Sequence, residues 1–332
     1  MKALVYTGPR TMELREVTEP QPQSEADVLI KVAGCGICGS DMHAWHGHDE
    51  RRPAPLILGH EATGTIVAGP RAGTRVTVNP LVTCQRCAAC TSGRENLCAV
   101  RQIISMPPRQ GAFAQYLTMP ERNLVAVPDT ISSEISALVE PLACGWHGVR
   151  LAEAALFTSL EEARVLVFGG GAIGLGAALV LARRAPREIW LAETSERRHP
   201  ALTAAGNFKV FNPFSEDGPG PASVDLVIDA VGFSVTRAAA CQAVKAGGVI
   251  VHIGLGDATG GLDVRRMTLQ EISFIGTYTY SVADFNDTAT ALFNGELGAA
   301  DWLDVRPLAD GPAAFHEIND GLANAPKIIL KP

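Results

Sequence analysis

Arg164-Val-Leu-Val-Phe168 runs directly into Gly169-Gly170-Gly171-Ala172-Ile173-Gly174 and then into an Ala/Leu-rich stretch that reaches Ala182. An apolar run, a glycine turn and a helix-forming stretch, in that order, make a strand-turn-helix unit whose helix N-terminus faces a pyrophosphate. Gly169, Gly171 and Gly174 occupy the three spaced positions that such a turn needs, with Ala172 and Ile173 between the last two. A glycine pattern alone is a weak signal. Glu193 strengthens it, because it follows the next apolar run, Glu188 to Ala192, where an acid can accept from both ribose hydroxyls. The same acid would repel the extra phosphate of NADP, so NAD is the expected cofactor; Arg197 and Arg198 close behind keep NADP as the lesser alternative.

Outward from this turn, the apolar runs Glu188 to Ala192, Asp225 to Asp229 and Val249 to Ile253 alternate with Ala-rich helical stretches, the texture of a doubly wound parallel sheet in an α/β protein. Ser215 to Ser223, rich in Gly, Pro and acid, reads as a surface connection within it. Up to about Pro128 the chain consists of short apolar runs broken by Gly and Pro, such as Asp27 to Val32 and Thr74 to Val78, which predicts an irregular β-rich domain. Beyond Gly276 the texture is mixed and ends in Lys327-Ile-Ile-Leu-Lys331, a last strand expected to rejoin that first domain.

With 332 residues, 47% hydrophobic and 19% charged, the chain is long enough for two folded domains and too apolar for a disordered one. Its 28 Lys+Arg against 35 Asp+Glu leave a net charge of −7, which gives no electrostatic reason to bind nucleic acid or anionic lipid. A small-molecule partner is expected. Met1-Lys-Ala-Leu-Val-Tyr6 meets Gly8 and Pro9 too soon to form an export signal core. The longest uncharged apolar stretch, Ile173 to Ala182, is stopped by Arg183 and Arg184, short of the roughly 18 residues of a membrane helix. A cytoplasmic location is expected, and in that compartment the eight cysteines read as ligands rather than disulfides.

Cys84, Cys87, Cys90 and Cys98 are spaced so that four thiolates can close a tetrahedral shell around one zinc, a structural site with no position left for substrate. The bland alternative is a loop with incidental cysteines. A second set lies in Gly36-Ile-Cys38-Gly-Ser40-Asp41-Met-His43 and Gly59-His60-Glu61. Cys38 and His60 with one carboxylate, Glu61 or Glu140, would leave a metal position open for catalysis; two turns with solvated polar residues are the alternative.

These motifs, in this order, resemble the zinc-dependent medium-chain alcohol dehydrogenases along essentially the whole chain. The resemblance implies a GroES-like catalytic domain built from residues 1–143 and 277–332, a Rossmann domain from 144–276, and an active site where nicotinamide meets zinc. Glu140-Pro141-Leu142 is similar to the polyol branch, that of sorbitol and galactitol dehydrogenases, which places zinc on Cys38, His60 and Glu61 or Glu140. Cys144, one helical turn beyond Glu140, is a weaker ligand candidate, and Cys35 and Cys241 are expected to be ordinary buried thiols. Backbone at Val231, Ile253 and Leu255 is expected to face the cofactor.

The resemblance further implies oxidation of a secondary alcohol, with Ser40 taking the hydroxyl proton and passing it by way of the cofactor ribose to His43, and with Asp41 orienting His60. Two departures bear on substrate. Ala44 and Thr279 stand where sorbitol-type enzymes often carry an aromatic residue and an Arg, and Trp45, Phe113 and Tyr280 are either a reshaped pocket wall or plain core. A threonine-type dehydrogenase is the first alternative, although no pair for a substrate ammonium and carboxylate stands out. A non-catalytic NAD-binding protein is the second. Family members are dimers or tetramers, and the sheet edge near Leu269 to Gly276 is the expected place of pairing.

Overall fold

A computed structural model describes residues 1–22 and 24–332. It divides the chain into two compact units, residues 1–140 with 281–294 and 303–332, and residues 141–280 with 295–302.

The second unit is built on the glycine turn. Its six strands lie in the order Lys209–Phe211, Glu188–Ala192, Arg164–Phe168, Val224–Asp229, Val244–His252, Ser273–Gly276, all parallel, which is the Rossmann order. A parallel sheet is covered on both faces, so its central strands need apolar residues on both sides; Val165, Val167, Leu226, Val227 and Ile228 are fully buried. Ala172–Ala182 is apolar almost all round and correspondingly buried. Two strands exceed the sequence expectation, Lys209–Phe211 and Ser273–Gly276. Both are short, partly exposed sheet edges, so neither carries an apolar run. The fifth strand begins at Val244, earlier than the expected Val249, because Lys245 to Gly248 interrupt its apolar pattern.

In the first unit, Asp27–Gly36 is the hub of a seven-stranded sheet, pairing antiparallel with Glu61–Ile66, Tyr116–Pro120 and Lys327–Lys331. The last strand thus returns beside the first unit's central strand, as its sequence predicts. Trp45 and Phe113 pack against Phe315, with ring centroids 6.1 and 6.0 Å away, and both are buried. Tyr280 is 1% exposed. All three are buried, as the core reading of these aromatics expects. Among the described residues, no helix is long and apolar enough to cross a membrane.

Candidate metal centres and dinucleotide turn

Strand Asp27–Gly36 delivers Cys38 to the start of the helix Gly39–Trp45, and the neighbouring strand opens with Glu61, opposite Gly36. The ligand atoms of Cys38, His60 and Glu61 all lie within 4.8 Å of one another. Asp41, fully buried, ties the two segments together: Oδ2 accepts from the Cys38 amide at 3.0 Å and Oδ1 from the Gly59 amide at 3.1 Å. The same Oδ1 stands 3.5 Å from His60 Nδ1, which leaves Nε2 toward the donor set, 3.4 Å from Ser40 Oγ. Burial opposes a charge on His60, yet Asp41 and Cys38 raise its pKa well above the ordinary value.

Glu61 itself is fully buried. Its Oε1 accepts from Lys327 Nζ at 2.6 Å, and its Oε2 has no hydrogen-bond partner. A Cβ at Gly36 would collide with that Oε2, so a glycine there makes room for the carboxylate. One thiol, one imidazole and an orphaned carboxylate oxygen suit a three-ligand zinc with an open fourth position. Glu140, in the first turn of the helix Val139–Ala155, is buried but lies outside this group, as does Cys144 farther along that helix. His43, on the same short helix as Ser40, is half-buried; burial and the neighbouring His46 and His48 lower its pKa.

Cys84, Cys87, Cys90 and Cys98 bring their four sulfurs within 4.8 Å of one another. All are free thiols, with Cys87 Sγ 3.5 Å and Cys84 Sγ 3.9 Å from Cys90 Sγ. Amides of Arg86 and Cys87 draw the Cys84 thiol down to about 6. Nearby Leu97 and Val100 are exposed, so the lobe has little core of its own, and the donor set fits a closed structural zinc.

In the glycine turn each position has a separate reason. Gly169 has φ +94°, and a Cβ there would come within 2.7 Å of Val231. A Cβ at Gly174 would strike the Gly169 carbonyl oxygen. A Cβ at Gly171 would meet none of the described residues beyond its chain neighbours within 4 Å, and the open space at this turn suits the approach of a pyrophosphate. Glu193 Oε2 accepts from the Gly170 amide at 2.9 Å and Oε1 from the Ser195 amide at 2.7 Å. Arg198 Nη1 lies 3.4 Å from Glu193 Oε2, so its charge is already directed to that acid.

Val231 and Ile253 lie just past two adjacent strands, with Ile253 donating its amide to Asp229 O at 2.9 Å; Leu255 is 69% exposed. What holds these loops has no signal in the sequence. Asp229 accepts from the Val231 and Gly232 amides, Thr236 Oγ1 and His252 Nδ1. Arg237, 5% exposed, donates to the carbonyls of Gly232, Asp257, Thr259 and Gly260. Only a buried Arg on the first turns of a helix could have suggested it. A separate groove of about 440 Å³ in the first unit, lined by Pro20, Pro55, Arg109 and Tyr116 among others, contains none of these residues.

Residues 24–129 match the family described as the alcohol dehydrogenase GroES-like domain, and residues 172–294 that described as zinc-binding dehydrogenase. L-Galactonate-5-dehydrogenase of Escherichia coli (strain K12) is 31% identical over 312 residues, covering 90% of this chain and 89% of that protein. The chain belongs to the zinc-type alcohol dehydrogenase family. This zinc-type dehydrogenase is also similar to (R,R)-butanediol dehydrogenase of Saccharomyces cerevisiae, 28% identical over 100% of this chain and 98% of that one. A solved chain described as a zinc-binding dehydrogenase from Sinorhizobium meliloti 1021, bound to NADP, superposes with a TM-score of 0.89 at 28% identity, covering 100% of this chain and 99% of that one. The fold is accordingly a Rossmann unit joined to a GroES-like unit.

Proposed function

We propose that the protein oxidises a secondary hydroxyl of a polyol, sugar acid or diol with NAD as hydride acceptor, and reduces the corresponding ketone in reverse. The convergence of Cys38, His60 and Glu61 around an orphaned carboxylate oxygen carries this reading. The substrate class follows the names of the relatives that act on L-galactonate and butanediol. Zinc held by Cys38, His60 and Glu61 would polarise the substrate hydroxyl as a Lewis acid, and NAD in the glycine turn would accept the hydride.

The remaining work falls to the chain. Ser40, beside the donor set, takes the hydroxyl proton, and His43, whose pKa is lowered chiefly by burial, is the group at the end of the relay that releases it to solvent. Asp41 orients His60 and, by accepting from two backbone amides, fixes the distance between the two ligand segments. Glu140, close enough to Lys327 to raise its pKa, stands in reserve as an alternative carboxylate. Cys84, Cys87, Cys90 and Cys98 hold the second, structural zinc.

Glu193 selects NAD over NADP: its charge sits where a ribose phosphate would come, and Arg198 is engaged with it. A homodimer or homotetramer paired along the Ser273–Gly276 edge strand, next to the exposed Leu269, is part of the same reading. The test is NADH formation from NAD across a panel of polyols, sugar acids and diols, repeated after chelation and with NADP. Chelator-sensitive turnover of one such series supports the proposal, and normal zinc content and NAD binding without turnover of any member refutes it.

A further inference from the structure

Lys327 is a lysine with almost no reason to be inside. It lies on the strand Lys327–Lys331, its side chain is 3% exposed, and its ammonium donates to Glu61 Oε1 at 2.6 Å and to the Ile37 carbonyl at 2.8 Å. The glutamate it meets is 266 residues away in sequence and fully buried. Burying such a pair costs desolvation of both ions, which apolar side chains of the same volume would not incur, so its presence at a metal site asks for a use. The surroundings specify one. Gly36 leaves room for both partners: a Cβ placed there would collide with Glu61 Oε2 and come within 3.2 Å of Lys327 Cδ.

We infer that Lys327 is a built-in counter-cation of the open metal site, a positioning residue that neutralises Glu61 while no metal is bound and grips it by one oxygen so that the other stays free for the metal. This rests on the metal-site reading above. The two oxygens of Glu61 are in unlike situations, one on the ammonium and one without any partner. Without the ammonium, the metal-free chain would hold a buried carboxylate that has lost the hydrogen bond to Oε1, with Oε2 still unpartnered, whereas the loaded chain would still have the metal to pair with it. Losing Lys327 therefore harms the metal-free protein more than the loaded one, and by linkage the variant binds its metal more tightly than the parent.

The test compares thermal midpoints of the full-length protein, zinc-loaded and zinc-stripped, for the parent, Lys327→Met, Lys327→Arg and the double variant Lys327→Met with Glu61→Gln. Loss of zinc from the four-cysteine site is common to all and cancels in the comparison. The stripped Lys327→Met midpoint should fall several degrees further than the loaded one, and chelator competition should show its open-site zinc held about tenfold or more tighter. Lys327→Arg should restore the parental gap, and removing the Glu61 charge should bring the double variant's stripped midpoint back up. Equal falls in loaded and stripped protein would overturn the inference, leaving Lys327 a packing residue while the metal site stands. A loaded parent holding zinc only at the four cysteines would overturn the inference and the metal-site reading together.

Discussion

At the scale of single residues, the glycine turn separates fold from function. Gly174→Ala drives a methyl into the Gly169 carbonyl, a backbone contact that cannot move aside, and should lower stability by about 3 kcal/mol. Gly171→Ala meets nothing in the protein; its thermal midpoint should stay close to the parent's while the NAD dissociation constant rises about tenfold or more. Denaturation and fluorescence titration read the two effects apart, and a Gly171→Ala protein that binds NAD normally would remove the pyrophosphate from this turn. Ser40→Ala should cut kcat by about 10²–10³-fold while zinc content and NAD affinity are retained. Steady-state kinetics beside metal analysis checks it; undiminished kcat would take Ser40 out of the proton path. These residues are legible in the sequence because each sits in a short local pattern. Lys327 is not, since its partner Glu61 lies far along the chain and only the pairing of the last strand with Asp27–Gly36 brings them together. For the same reason sequence left Glu61 and Glu140 equivalent as ligand candidates, and the structure groups only Glu61 with Cys38 and His60.

Among elements, the parallel sheet is joined near its amino end by charge. Glu188 pairs with Arg164 on the adjacent strand and with Lys209 on the edge strand. Burial would raise the Glu188 carboxyl, but Lys209 and Arg164 together pull it down to about 2. A carboxyl depressed in the folded state contributes stability that is complete above its unfolded pKa, near 4.5, and is lost as pH falls toward 2. Glu188→Gln should therefore cost about 1–2 kcal/mol at pH 7, and the difference from the parent should shrink through this window. Urea denaturation at several pH values reads it, and a difference independent of pH would place its origin elsewhere. At the other end of the sheet, Arg237→Met frees four carbonyls in the loops after two strands. Amide exchange across residues 254–261 should quicken and NAD binding weaken, with a stability loss of about 2–3 kcal/mol; slow exchange would show that the loop is held without the guanidinium. The sequence marks the central strands by their unbroken apolar runs. It is silent on the edge strands, and on Arg237, whose role lies in backbone carbonyls that any residue could supply.

In the whole molecule, two metal sites make unequal demands on the fold. The four-cysteine lobe has its sulfurs together and its nearby Leu97 and Val100 exposed, so metal takes the place of a core. The three-ligand site lies in the middle of a packed sheet, where Asp41 fixes Cys38 and Gly59 without any metal and Lys327 already answers the charge of Glu61. An open site also exchanges its ion more readily than a closed thiolate shell. Graded chelation should then proceed in two stages. The first should take zinc from about two ions per chain to about one and abolish turnover, with the smaller fall in thermal midpoint, because the sheet around that site is packed without the ion. The second should take the remaining ion and lower the midpoint by many more degrees, because there metal also stands in for the core that the four-cysteine lobe lacks. Metal content, activity and midpoint measured on the same samples decide it. If the larger fall in midpoint comes with the first ion, the open site is structural as well, and the proposed independence of the sheet from its metal is wrong.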